Sequence, residues 1–225
     1  MGHLKYNVDI VMCIDCTESM GELLETVKAN ALRFYSDLCE CFAEKGKDIS
    51  ELRIRTIAFR DFHADKSTAI SDSGFFSIPE EEEEFHKFIG NLTPRGGGDE
   101  PENGLEAVAM AINSDWTTGG DRRRHIVVVW SDASTHPLEL EMTKNEYYPA
   151  DMPADFDEMT DWWEDEQGGK MDAFAKRIII FAPDSSSWSD IGLNWSNAIH
   201  HTARAGEGLR DIDYKTIMSS IVNSI

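Results

Sequence analysis

The stretch CIDCTESMG, residues 13–21, places four oxygen-bearing side chains within five residues: Asp15, Thr17, Glu18 and Ser19. Carboxylate and hydroxyl oxygens are the ligands preferred by hard cations such as Mg²⁺, Mn²⁺ and Ca²⁺. In an extended loop alternate side chains face the same way. The pattern D-x-T-x-S therefore aims Asp15, Thr17 and Ser19 to one side and turns Glu18 away from them, towards solvent or a partner. A plainer reading is a helix cap, in which Thr17 or Ser19 stabilises a helix start by about 1 kcal/mol with no ion at all.

Three ligands do not fill an octahedron, so further oxygens must come from elsewhere in the chain. Asp99 in GGGDEPE and Asp132 in WSDAS are the candidates. The three glycines at 96–98 allow a loop backbone to come close to a site.

Other chemistries fit less well. A phosphatase of the haloacid-dehalogenase type uses the strand-end aspartate as nucleophile and a second aspartate two residues later as the acid, but position 17 is threonine. No G-x-x-x-x-G-K-[ST] loop, no strand-following G-x-G-x-x-G and no G-x-S-x-G elbow is present. A zinc knuckle from Cys13 and Cys16 with Cys39 and Cys41 fails on distance: Cys13 belongs to a strand, and the second pair lies about five turns along the following helix. Cys13 reads as core packing and Cys16 as a small loop residue. His136, four residues after Asp132, is placed to line a rim or to act as a base, and His200 and His201 read as the end of a strand. Asp61, just past another strand, is placed in an outer layer of the site, against Arg60, or plainly on the surface.

The elements that must position these residues follow from hydrophobic periodicity. Val8–Ile14, Leu52–Phe59, Ile126–Trp130 and Ile178–Phe181 read as buried strands, with Thr68–Ser77 as a weaker edge strand and Ile199–Thr202 as a short last one. Apolar residues at steps of three and four from Met20 to Phe42 predict a helix stopped by Gly46. Further helices are expected after Pro79 to near Gly90, across Leu105 to Ile112, around Phe156 to Trp163, and from Asp213 to Ile225. The alternation predicts one α/β domain over 1–225, a doubly wound, mostly parallel sheet with helices on both faces. Ligands in such folds bind beyond the carboxyl ends of the strands, where Asp15 and Asp132 fall.

Forty-two acidic residues against 21 basic ones give a net charge of −21, which argues against nucleic acid or an anionic membrane as partner. Residues 139–172 are an acidic insertion with a net charge of −10, nearly half the total. Trp162 and Trp163 within it read as core, or as a partner surface. No run approaches the roughly 18 apolar residues of a membrane helix. The start of the chain has no signal-peptide pattern, and Tyr6 stands where a myristoylation motif needs Ser or Thr. Four cysteines confined to the first fifth of the chain suit a reduced cytoplasm.

Taken together, D-x-T-x-S, GGGDEPE and the aspartate after IVVVW, in that order, resemble the von Willebrand factor type A (vWA) domain in its bacterial stand-alone form. The resemblance implies a Rossmann-like fold over essentially the whole chain and a metal-ion-dependent adhesion site built from three loops. Asp15, Thr17 and Ser19 match the first loop and Asp132 the third. The second loop departs from the family, with Asp99 where a threonine is usual; Thr93 is the alternative hydroxyl. Glu18 stands where the family often has glycine. The extra carboxylate of Asp99 strengthens cation binding and widens the choice of ion towards Ca²⁺, with Mg²⁺ the first expectation. Glu18, Glu100 and His136 then form a partner-contact rim. The resemblance implies a non-catalytic, cation-dependent adaptor whose protein partner donates a carboxylate to the ion. It also implies kinase, phosphatase or ATPase partners in a bacterial stress or defence system. The alternative function is a metal-dependent hydrolase of phosphate esters.

Overall fold

The first strand of the chain explains the rest of the architecture. Strand β1, Leu4–Asp15, alternates its buried side chains between two faces. Val8, Ile10, Met12 and Ile14 enter one hydrophobic core, while Val11 and Cys13 enter a second. A strand buried on both faces must lie in the middle of a sheet covered on both sides. In the computed structural model, which describes residues 4–98, 100–138, 146–165, 170–203 and 214–223, it does.

The sheet contains β2 (Lys47–Phe59), β3 (Ile70–Ile78), β4 (Arg123–Trp130), β5 (Lys176–Pro183) and β6 (Ala198–Ala203) beside β1. Their order is β3-β2-β1-β4-β5-β6, the order of a doubly wound nucleotide-binding sheet. All neighbours are parallel except β3, which runs antiparallel to β2. A mostly parallel sheet was the expectation from the sequence, and β3 is the antiparallel exception. The connection between Phe59 and Ile70 holds one helical turn, α2 (Phe62–Asp65), and a 3-10 turn at Lys66–Thr68. It is too short for the crossover that a parallel pair requires.

Helices α1 (Gly21–Glu44), α3 (Glu82–Asn91) and α7 (Tyr214–Asn223) supply Leu24, Phe34, Leu38, Phe85, Ile89 and Ile221 to the first core. Helices α4 (Gly104–Ile112), α5 (Phe156–Glu164) and α6 (Ser186–Asn194) cover the other face through Leu105, Val108, Met159, Trp163, Trp188 and Ile191. Each such aliphatic side chain contributes about 1.5–3 kcal/mol on full burial. Helix α5 lies within the acidic segment and buries Met159 and Trp163, while Trp162 packs against the same core half-exposed. Residues 139–145 and 166–169 of that segment, and 213, 224 and 225 of the expected C-terminal helix, lie outside the described residues. Helix α6 was not expected from sequence. Among the described residues no helix is long and apolar enough to cross a membrane.

Candidate metal centre

The strand order reverses direction at β1, with β2 on one side and β4 on the other. The crevice beyond the carboxyl ends of β1 and β4 is the topological switch point, the usual ligand position in such sheets. Asp15 is the last residue of β1, and Ser131 and Asp132 follow directly on β4.

Asp15 is fully buried. Its Oδ1 accepts hydrogen bonds from the Thr17 N–H at 2.9 Å and the Thr17 hydroxyl at 2.7 Å, an Asx turn that bends the chain off the strand. Its Oδ2 accepts from the Ser131 hydroxyl at 2.7 Å. The Ser19 hydroxyl donates to Asp132 Oδ1 at 3.0 Å. A chain of oxygens thus runs from Ser131 through Asp15, Thr17 and Ser19 to Asp132. The Thr17 and Ser19 oxygens stand 3.2 Å apart, close enough to hydrogen-bond with either as donor. Each also bonds one of the two carboxylates, so hydroxyl and carboxylate oxygens of the kind hard cations prefer converge here.

Burial pushes the Asp15 carboxyl up to about 6, against the lowering effect of its Thr17 and Ser131 hydrogen bonds; the charge of Asp132 adds to the rise. Burial also raises Asp132, while Ser19 opposes it. The charged forms of both are held in a poorly solvated place.

One residue that the sequence reading passed over is the most informative. Glu102 is 5% exposed, and its Oε2 is buried with no hydrogen bond from any described residue. Burial first, then the charges of Asp15, Asp61, Asp65 and Asp132, push its carboxyl up to about 9. An orphaned carboxylate oxygen in a buried pocket carries a desolvation cost that a bound cation would offset. Its signal in sequence was its place three residues after Asp99 in GGGDEPE.

The glycine loop fits around this group. Gly97, at φ +94°, would place a Cβ 2.6 Å from Glu102 Oε1 and 2.6 Å from Thr17 Cγ2. Gly96 would place one inside the Asp65 carboxylate, which accepts the Gly97 N–H at 2.8 Å. Only a chain without side chains passes between β1 and Glu102 at this distance. Asp99 itself lies outside the described residues. Thr93 is exposed; its carbonyl accepts from Arg60 Nη2.

The remaining expected residues are placed as follows. Glu18, Ser19 and Glu100 are exposed and His136 is half-buried. Asp61 is buried and caps α2 by accepting from the His63 and Ala64 N–H groups, rather than pairing with Arg60. His200 and His201 lie within β6, bonded to the Ala182 carbonyl and the Ser220 hydroxyl. Cys13 is buried and donates to the Ala107 carbonyl, Cys16 is buried, and all four cysteines are free. Thr135 caps α4 from outside, its hydroxyl oxygen accepting from the Gly104 and Leu105 N–H groups at 3.1 Å each.

Among the described residues no three carboxylate, imidazole or thiol groups are gathered closely enough to hold an ion by themselves. The close-knit set is mixed, two carboxylates with three hydroxyls. An all-oxygen set of this kind fits Mg²⁺, Mn²⁺ or Ca²⁺ and not a soft metal.

No protein-family profile matches the chain, and neither does any curated protein. Solved structures do. The pilus adhesin SpaC from Lactobacillus rhamnosus GG superposes with a TM-score of 0.57 at 8% identity over 96% of this chain. The chain is similar in fold to part of that adhesin. It spans 30% of the adhesin's length, and 29% in the open conformation, where the TM-score is 0.50. The vWF domain of the type V pili tip protein Mfa5 from Porphyromonas gingivalis matches at 23% identity over 58% of this chain and 39% of that one, with a TM-score of 0.39. At these identities the likeness to SpaC concerns fold.

Proposed function

We propose that the chain is a divalent-cation-dependent protein-interaction module of the vWA kind. One observation carries this reading: the hydroxyls of Thr17 and Ser19 converge with the carboxylates of Asp15 and Asp132, beside the buried, unbonded carboxylate oxygen of Glu102, at the switch point of the sheet. Asp15, Thr17, Ser19 and Asp132 would hold the ion together with Glu102, and Asp99 completes the set expected from sequence. Mg²⁺ is the first candidate, with Mn²⁺ and Ca²⁺ behind it. The ion supplies a positive point that a carboxylate from a partner protein can complete. Exposed Glu18 and Glu100 and half-buried His136 form the rim that the partner meets. The fold neighbour SpaC, a pilus adhesin, agrees with a binding role.

The test is capture of partners on the immobilised chain in Mg²⁺ and in chelator, with Asp15→Ala beside the wild type. The module reading expects partners that are retained in Mg²⁺ and released both by chelator and by the substitution, while the circular dichroism spectrum stays unchanged. Turnover of phosphate esters by the wild type, abolished in Asp15→Ala, would contradict it in favour of a hydrolase.

A further inference from the structure

Arg60 follows the last residue of β2 and is 3% exposed. Among the described residues its guanidinium makes four hydrogen bonds, all to backbone carbonyls. Nε donates to Cys16 at 3.0 Å and to Arg95 at 3.1 Å, Nη1 to Thr68 at 2.9 Å and Nη2 to Thr93 at 3.0 Å. Asp61 is its chain neighbour, and the charges of Asp15, Asp61, Asp65 and Asp132 all act on Glu102 in the same region. None of the ion pairs among the described residues involves Arg60. A buried arginine placed only for charge balance would fork onto a carboxylate, the strongest bond open to it.

The carbonyls it takes instead belong to the segments that carry the site. Cys16 lies between Asp15 and Thr17. Thr93 and Arg95 lead into Gly96–Gly98. The Arg60 carbonyl accepts the N–H of Asn103, next to Glu102, at 3.3 Å. Further backbone bonds continue the tie: Cys16 N–H to the Phe59 carbonyl, Arg95 N–H to the Cys16 carbonyl, and Glu18 N–H to the Gly96 carbonyl. A planar group with five donors locks several backbones at fixed angles, whereas an ammonium with three donors does not.

We propose that Arg60 is a positioning residue for the cation site. It holds the loops after β1 and before α4 in their ligand-bearing arrangement before an ion arrives, and thereby favours Mg²⁺ over Ca²⁺. This rests on the cation-site reading above. Mg²⁺ demands near-ideal octahedral geometry at short range, while Ca²⁺ tolerates longer and irregular shells. Loosened loops therefore penalise Mg²⁺ more.

The experiment is calorimetric titration of Mg²⁺ and of Ca²⁺ into wild type and Arg60→Lys at a temperature well below unfolding. The expected result is an Mg²⁺ affinity at least about tenfold weaker in the variant, the size seen for residues that support a metal ligand from behind, with Ca²⁺ affinity changed much less. An unchanged Mg²⁺/Ca²⁺ ratio overturns the positioning role and leaves Arg60 as a fold residue. A wild type that binds neither ion overturns the cation-site reading itself, and this role with it. Should Arg60→Lys fail to fold, amide hydrogen exchange of the wild type decides. The Cys16 and Arg95 amides are then expected to be protected already in chelator. If they exchange freely until Mg²⁺ is added, the ion and not Arg60 orders the loops.

Discussion

Two buried aspartates on one strand have opposite surroundings. Asp9 and Asp15 both lie on β1, six residues apart, at 1% and 0% exposure. Asp9, towards the amino end of the sheet, is fully answered. Arg53 binds it through Nε at 2.9 Å and Nη2 at 2.7 Å, and the Thr117 N–H adds a third bond at 2.7 Å. Asp15, at the carboxyl end, receives from the described residues only two hydroxyls and one N–H, and no cation. The nearby arginine, Arg60, spends its donors on carbonyls. The same residue type is a structural ion pair at one end and an electrostatically open group at the other. A buried carboxylate without a counter-charge lowers stability, and the proposed cation site would account for its persistence at the switch point.

The contrast is sharpest in paired charge removals. Asp9→Asn strips one partner from a buried pair and leaves Arg53 exposed only in part, so stability in urea should fall by about 3 kcal/mol. Cation affinity, measured on the folded fraction, should not change. Glu102→Gln removes a charge at the other end. Burial raises the Glu102 carboxyl to about 9, so folding at pH 7 carries a protonation cost that glutamine lacks, and stability in chelator at pH 7 should rise above wild type rather than fall. Mg²⁺ affinity should instead fall by roughly tenfold or more. Equal stability losses for the two substitutions would erase the distinction.

A smaller effect should appear in pH. The folded-state carboxyls of Glu102 and Asp15 are raised from 4.5 to about 9 and from 3.8 to about 6. A raised carboxyl binds more protons folded than unfolded. Its contribution is therefore present below the unfolded value and is lost as pH climbs to the folded one. Melting temperature in chelator should decline between about pH 5 and 9, less steeply in Glu102→Gln than in wild type. Saturating Mg²⁺ should flatten the wild-type decline, because the ion replaces the proton. A decline of equal slope in both proteins would count against Glu102 as the titrating group.

The smallest expected effect comes from an uncharged support. Thr135→Val removes the hydroxyl that accepts from the Gly104 and Leu105 N–H groups. It should cost about 1 kcal/mol in urea unfolding, the size of a lost helix cap, and weaken Mg²⁺ only a few-fold. A larger loss of ion affinity than in Glu102→Gln would shift the weight of the site from its charges to its loops.

The sequence exposed the central strands because burial on both faces writes a continuous apolar run, as in IVVVW and IIIF. It hid the direction of β3, which depends on the length of a connection and not on a pattern of side chains. It hid α6 because that helix buries only Trp188 and Ile191 within a polar, serine-rich stretch. The positions of Asp15, Thr17, Ser19 and Asp132 beyond β1 and β4 were legible because each follows an apolar strand by a fixed spacing. The surroundings of Glu102, Ser131 and Arg60 were not. Their importance lies in what surrounds them, four aspartates for Glu102 and four carbonyls for Arg60, drawn from loops far apart in the chain.

Calorimetric titration of Mg²⁺ into the wild-type chain and into Asp15→Ala tests the central claim most directly. The account predicts one ion bound per wild-type chain and none in the variant, with both proteins equally folded. Absence of binding to the wild type up to ~10 mM Mg²⁺, beyond the weakest range of protein divalent-cation sites, or equal binding in the two proteins, would contradict it.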